Sequence, residues 1–293
     1  MCSCYNFPMG KTGFVVEGGG MKCAYSAGIL DKFLDDDITF DYGIGVSAGS
    51  ANGCSFLAGQ RGRNLRFYTD HVKRPRYFGP VSFLTSGDFF GIKYIFGKLT
   101  ESDGIDPLDQ EALLLNPAEF VVVATDAETG EPAYFHKEDI PIDDYRIIMA
   151  SCAIPVVCHP IKVGEKKYFD GGISDAIPVQ RALDDGCDKL VVILSKNRDF
   201  VKNPEKHRKI YSAALRRYPK VIELLDHRHE MYRERQERVL ELEKECKAFV
   251  FAPSRHLSMG TYTMDGNVNQ RLYDLALRDY EKRKDELKAF LAG

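Results

Sequence analysis

Two short apolar runs, GFVVE (13–17) and FDYGIGV (40–46), each lead straight into a glycine-rich turn, GGGMK (18–22) and GVSAGS (45–50). Apolar runs this short and bounded by glycine fit strands buried on both faces. Between them, MKCAYSAGILDKFLDD (21–36) repeats its apolar residues at helical spacing, and a second helix is expected over 48–59. Strand, helix and strand in so short a stretch predict a βαβ unit, and with it a parallel sheet joined by a right-handed crossover. The expected class is therefore α/β, with a mostly parallel central sheet flanked by helices.

EFVVVATD (119–126) and KLVVILS (189–195) extend the pattern as two more buried strands and AFVFAP (248–253) as a last one, with helical runs at 143–152 and 178–186. Two segments break the alternation. Residues 67–96 hold nine aromatic rings (Phe67, Tyr68, Tyr77, Phe78, Phe83, Phe89, Phe90, Tyr94 and Phe96) interleaved with His71, Lys73, Arg74 and Arg76. They fit either core packing or an amphipathic cap that makes transient contact with a membrane surface, Arg74 and Arg76 lying near head groups. Residues 205–247 are charge-dense and helix-prone, and the pairs Glu234/Arg238 and Glu243/Lys247 fit a solvated helical face. Because a strand follows, this stretch reads as a helical insertion, and a final amphipathic helix is expected over 268–291. The expected organisation is an α/β core over 1–197 and a helical extension over 198–293 whose strand returns to the core sheet.

Of the 293 residues, 44% are hydrophobic and 28% charged, ample material for a core. A net charge of −3 argues against recognition of nucleic acid by bulk positive charge. No membrane-spanning helix is expected, since nowhere do about 18 apolar residues run together. The opening MCSCYNFPMGK has no basic region followed by an apolar stretch, so no secretory signal is expected. The eight cysteines show neither CxxC spacing nor a compact disulfide pattern and read as reduced thiols in a cytoplasmic protein, peripheral to the membrane at most. Cys2 and Cys4 form a CxC pair with no zinc-like partner pair after it, and neither a metal nor another cofactor is expected.

Ser47 sits where the second strand would turn into a helix. Such a corner forces unusual backbone angles on its apex; Gly45 and Gly49 remove side chains that would clash there, leaving the hydroxyl exposed at the helix N-terminus. That helix end also supplies N–H groups and a positive dipole where an oxyanion would develop. A helix-capping serine is the plainer alternative. At the neighbouring turn Gly18, Gly19 and Gly20 expose successive amides, as an anion requires. As a nucleotide cradle of the GxGxxG kind the stretch ends at Cys23 rather than glycine, with no clear acidic ribose partner about twenty residues on. As an oxyanion hole it would face Ser47 across neighbouring parallel strands. None of the seven histidines lies in a late loop with triad character, although His136 and His159 stay open as triad bases. KKYFDGGISDAIPV (166–179) offers Asp170 at the end of an apolar segment, before two glycines that let the backbone turn sharply. Alone, that aspartate would read as an Asx-turn residue.

GGGMK, GVSAGS and YFDGG, in that order and supported by ATDAETGEPAYF (124–135) and ASCAIP (150–155), resemble the patatin-like phospholipase family, which also includes relatives of the cytosolic phospholipase A2 catalytic domain. The resemblance covers roughly residues 13–195. It implies a three-layer α/β/α fold and a serine hydrolase that cleaves carboxylic esters of phospholipids, lysophospholipids or related acyl esters through a Ser–Asp dyad without histidine. Carried over motif by motif, Ser47 resembles the nucleophile and Asp170 its partner. The amides of Gly18, Gly19 and Gly20, with that of Ala48, resemble the oxyanion hole, and Lys22, Gly45, Gly49, Gly171 and Gly172 support these motifs. Lys22 stands where the family usually has arginine, Cys23 where it has glycine, and Asp175 or Ala176 where it often has asparagine. Such a dyad requires Asp170 to be buried, which raises its pKa toward that of a useful base, and to lie within ~3 Å of the hydroxyl. A thioesterase or small-ester esterase is one rival reading; a catalytically silent lipid- or protein-binding module is another.

Overall fold

The computed structural model describes residues 10–256 and 258–293. Its strands are β1 (Lys11–Val16), β2 (Tyr42–Val46), β3 (Glu119–Asp126), β4 (Pro132–His136), β5 (Ile161–Val163), β6 (Lys166–Asp170), β7 (Cys187–Ile193) and β8 (Ala248–Phe251). β3, β2, β1, β7 and β8 pair in parallel, in that order, and form the sheet that the βαβ pattern predicts. β4, β5 and β6 add antiparallel pairings beyond it. Successive side chains on a strand point to opposite faces. Phe14, Val16, Val122, Ala124, Val191 and Ile193 therefore enter one core, while Val15, Ile44, Val121, Val123, Leu190 and Val192 enter another.

The α-helices of the described residues are α1 (Ala24–Asp35), α2 (Ala48–Leu57), α3 (Arg63–Thr69), α4 (Pro80–Ser86), α5 (Gln110–Leu115), α6 (Arg146–Ser151), α7 (Val179–Asp184), α8 (Arg208–Ala214), α9 (Pro219–Lys244) and α10 (Gly266–Ala292), and a short π-helix spans Tyr94–Leu99. α1, α2, α6 and α10 close the first core, α7 and α9 the second, which gives three layers, α/β/α. No described helix is long and apolar enough to cross a membrane.

The edges of β3 position everything that follows. Val121 to Val123 pair with β2 on one edge and with β4 on the other; Ala124 and Thr125 pair with β6 and, again, with β4. Since β4 holds one edge throughout, β2 and β6 must share the other. β2 ends opposite Val123 with Val46, and β6 takes over opposite Ala124 with Asp170. Ser47 and Asp170, far apart in sequence, thus meet at the junction of two collinear strands.

Several expectations need correction. The long helix of the charged region is no mere solvated face: α9 buries Val221, Leu225, Tyr232, Val239 and Leu242. Its expected i,i+4 pairs are replaced by others, because Glu243 turns to Arg198 while Arg238 pairs with Glu241 and Glu245. In the aromatic stretch Tyr68, Tyr77 and Phe96 are buried, whereas Phe83 and Phe89 stack on each other at the surface. Cys23, Cys54, Cys152, Cys158 and Cys187 are free thiols, but Cys246 is disulfide-bonded, so the reading of all eight as reduced does not hold there. The Cys2/Cys4 pair lies outside the described residues.

Candidate active site

Ser47 occupies the corner between β2 and α2 with φ 55° and ψ −130°, a left-handed conformation that disfavours any side chain. Two glycines make the corner possible. A Cβ on Gly45 would lie 2.6 Å from the Ser50 Cα, and one on Gly49 would lie 2.6 Å from the Val16 carbonyl oxygen. The turn is then pinned: the Ser47 N–H donates to Ser151 Oγ at 2.8 Å, and Ser151 Oγ donates to the Val123 carbonyl at 2.6 Å. With its backbone fixed on both sides, the Ser47 side chain is buried against the Asp170 carboxylate and the Cys152 thiol.

Asp170 closes β6 and is 4% exposed. Its Oδ1 accepts the Gly172 N–H at 2.7 Å, so the first glycine turn after the strand folds back on the carboxylate itself. Burial pushes the Asp170 carboxyl above the usual carboxylate range; the Ser47 hydroxyl, the Gly172 N–H and the more distant Arg228 and Lys196 cations oppose that push without overcoming it. Arg228 also donates from Nε to the Gly172 carbonyl at 3.0 Å, bracing the turn from α9. Gly171 is packed too tightly against the Val123 carbonyl to carry a side chain. Asp175, one of the two positions where the family often has asparagine, is buried and takes the Tyr134 hydroxyl at 2.9 Å and Arg235 at 3.2 Å.

The glycine turn lies directly beside the serine, for a Cβ on Gly18 would approach the Ser47 Cβ to 3.1 Å. Gly20 adopts φ 57° under the Thr261 carbonyl, which also accepts the Met21 N–H at 3.0 Å. Among the described residues, no acceptor is found for the N–H groups of Gly19 and Ala48. Lys22 is half-buried, its pKa lowered first by burial and next by Lys196, and its ammonium lies 5.5 Å above the Phe200 ring. Cys23 fits where the resemblance expects glycine because its thiol turns inward to the Glu17 carbonyl at 3.4 Å.

A cavity of about 60 Å³ opens from Ser47, walled by Ala51, Phe67, Tyr77, Phe90, Ile95 and Phe96. Its polar lining comes from Asn52, Asn64, Thr100 and Arg63. Arg63 is buried with its guanidinium donating to Ser55, Thr100 and the carbonyls of Asp106 and Pro107. Neither histidine that stayed open as a base belongs to this site. His136 sits opposite Val121 on the other edge of β3, and His159 is committed to Asp88 at 2.7 Å.

The profile of the patatin-like phospholipases matches residues 14–183, more than half of the chain. The chain belongs to the patatin-like phospholipase family. Outside this patatin-like region, residues 218–292, which include all of α9 and α10, match a profile described as a domain of unknown function, DUF6363. An uncharacterized protein of Escherichia coli (strain K12), YjjU, is 30% identical over 204 residues, which cover 68% of this patatin-like chain and 56% of that protein. The chain thus accounts for little more than half the length of that relative. Among solved structures, VipD from Legionella pneumophila is similar at a TM-score of 0.40 and 13% identity, over 92% of this chain and 67% of that one.

Residues that sequence reasoning did not single out also converge here. Ser151 orders the Ser47 corner, Cys152 lines it, and Arg228 and Tyr232 reach in from α9. ASCAIP was visible as a motif, but nothing local to 228–232 distinguishes those residues from the charged helix around them.

Proposed function

We propose that this patatin-like protein is a lipid acyl hydrolase in which Ser47 attacks a carboxylic ester and Asp170 manages the proton. The observation that carries the reading is the strand junction on β3, which sets a strained serine against a buried carboxylate whose pKa is raised. As Ser47 Oγ bonds to the ester carbon its proton passes to Asp170, and the carbonyl electrons become an oxyanion received by the N–H groups of the glycine turn and Ala48. Collapse breaks the bond to the leaving alcohol, which takes the proton from Asp170. A water then attacks the acyl-enzyme, losing its proton to Asp170; release of the acid returns that proton to Ser47 Oγ.

The apolar cavity beside the serine supports an acyl chain as the group that enters, and the polar lining supports a chain of limited length. Val81, Phe83, Leu84 and Phe89 are exposed around α4 and support a lipid surface as the place where substrate is met. Arg76 is exposed in the same stretch, whereas Arg74 is partly buried and donates to His71 at 3.3 Å. The test is labelling by a fluorophosphonate probe, followed by a panel of acyl esters and phospholipids. Labelling of the wild type and loss of it in Ser47→Ala, with hydrolysis of at least one acyl ester, is the expected result. A folded wild type that neither labels nor hydrolyses any ester makes the chain a silent binding module on this fold. Separately, Phe83→Ser/Leu84→Ser should weaken binding to anionic liposomes; unchanged binding removes the surface claim.

A further inference from the structure

Glu17 follows β1, and Ser195 and Lys196 follow β7; the parallel register Val16↔Ile193 brings these two ends side by side. Glu17 is fully buried, yet it is ionisable and belongs to no part of the proton path described above. Its carboxylate collects three donors: the Ser195 N–H at 2.7 Å, the Tyr232 hydroxyl of α9 at 2.9 Å, and the Lys196 ammonium. Withdrawing a carboxylate and an ammonium from water costs several kcal/mol per ion, so a buried pair is a poor device for stability alone.

What the cluster touches next is the glycine turn. Ser195 Oγ donates to the Gly18 carbonyl at 3.0 Å, and the Lys196 ammonium points to the same oxygen at 3.4 Å while lying 3.2 Å from Ser195 Oγ. The Gly18 carbonyl and the Gly19 N–H belong to one planar trans peptide and point in opposite directions. Two donors on the carbonyl therefore fix the plane of that peptide and aim the Gly19 N–H away from Ser195. Withdrawal of electron density by a cation also makes that N–H a stronger donor. A side chain on Gly19 would collide with Ser195 Oγ, so the close approach is built into the turn.

We propose that Ser195 and Lys196, held by Glu17 and Tyr232, are positioning residues that orient and polarise the Gly18–Gly19 peptide as a donor to the oxyanion. The proposal rests on the reading of Ser47 as the acylated nucleophile. It also gives the C-terminal helical region a part in the chemistry, since Tyr232 anchors the carboxylate on which the cluster is built.

The test compares Lys196→Met, Lys196→Arg and Ser195→Ala with wild type and Ser47→Ala, reading the fluorophosphonate inactivation rate, kcat and KM for a soluble short-chain ester, and the melting temperature. Loss of one oxyanion donor typically lowers kcat by about 10²–10³. Loss of its orientation should fall below that, about 10–100-fold in kcat and in labelling rate for Lys196→Met and somewhat less for Ser195→Ala. KM should stay near the wild-type value, because the ground-state ester places no charge on the turn. Lys196→Arg should recover most of the rate. If Lys196→Met does not fold, Ser195→Ala, which removes one hydroxyl, decides. Folded variants that label and turn over at the wild-type rate, or whose loss lies in KM, overturn the proposal. A wild type that is never labelled overturns the hydrolase reading instead, and the proposal with it.

Discussion

Asp170→Asn keeps the outline of the side chain and an acceptor for the Gly172 N–H 2.7 Å away, while removing the group that would receive the Ser47 proton. Loss of a positioned general base typically lowers rate by about 10²–10⁴. At roughly 1.4 kcal/mol per tenfold, that corresponds to about 3–5 kcal/mol of transition-state stabilisation. Stability should move the other way. Burial raises the native Asp170 pKa above its unfolded value, so between those two values the native state binds more protons than the unfolded chain. Wild-type stability therefore falls as pH rises through that window, and the whole penalty persists at neutral pH. Asparagine carries no such penalty. The variant should melt at the wild-type temperature or above it at neutral pH, with that advantage vanishing below the unfolded carboxylate pKa of ~4. In the wild type the same raised pKa should appear as an acid limb in kcat/KM, with activity lost as pH falls through it. Ester kinetics against pH and scanning calorimetry on both proteins are the assays. A variant retaining more than about a tenth of wild-type kcat, or one melting several degrees lower at neutral pH, refutes the reasoning.

Gly49→Ala should destabilise the fold by about 1–3 kcal/mol in urea titration, because its Cβ would lie 2.6 and 2.8 Å from the carbonyl oxygens of Val16 and Glu17. Arg63→Met should cost about 3–5 kcal/mol by the same measurement, since Asp106, Ser55 and Thr100 lose a buried partner. Phe96→Ala should shift the preferred acyl chain to longer esters by enlarging the cavity next to Ser47, at about 3–5 kcal/mol of stability; an ester panel showing no shift removes Phe96 from the acyl wall.

The parallel half of the sheet was legible because its strands are buried on both faces and carry continuous apolar runs; β3 spans Glu119–Asp126, the very run that the sequence shows. The antiparallel half was not. β5 covers only Ile161–Val163, and β4 has no fully buried residue, so neither offers a run to recognise. The Ser47 corner and the DGG turn were legible as glycine patterns, since close backbone approach admits no other residue there. Their adjacency was not, because it depends on which edge of β3 each strand takes. Glu17 stood in plain sight as an acid closing an apolar run, but its partners Ser195, Lys196 and Tyr232 come from elements that only the register of β1 on β7 and the docking of α9 bring near.

β3 also acts as a ruler. One step along its ladder, from Val123 to Ala124, sets the separation of Ser47 and Asp170, while the wall of the cavity is drawn largely from α3 and the chain that follows it up to β3. On the proposed hydrolase reading, reactivity and selectivity therefore reside in different stretches of chain. The segment between α2 and β3 can lengthen, shorten or exchange its rings without altering the reach of hydroxyl to carboxylate. Laboratory selection for new esters has most latitude there, and a homologue with a foreign sequence in that stretch can keep the same chemistry while accepting a different acyl group.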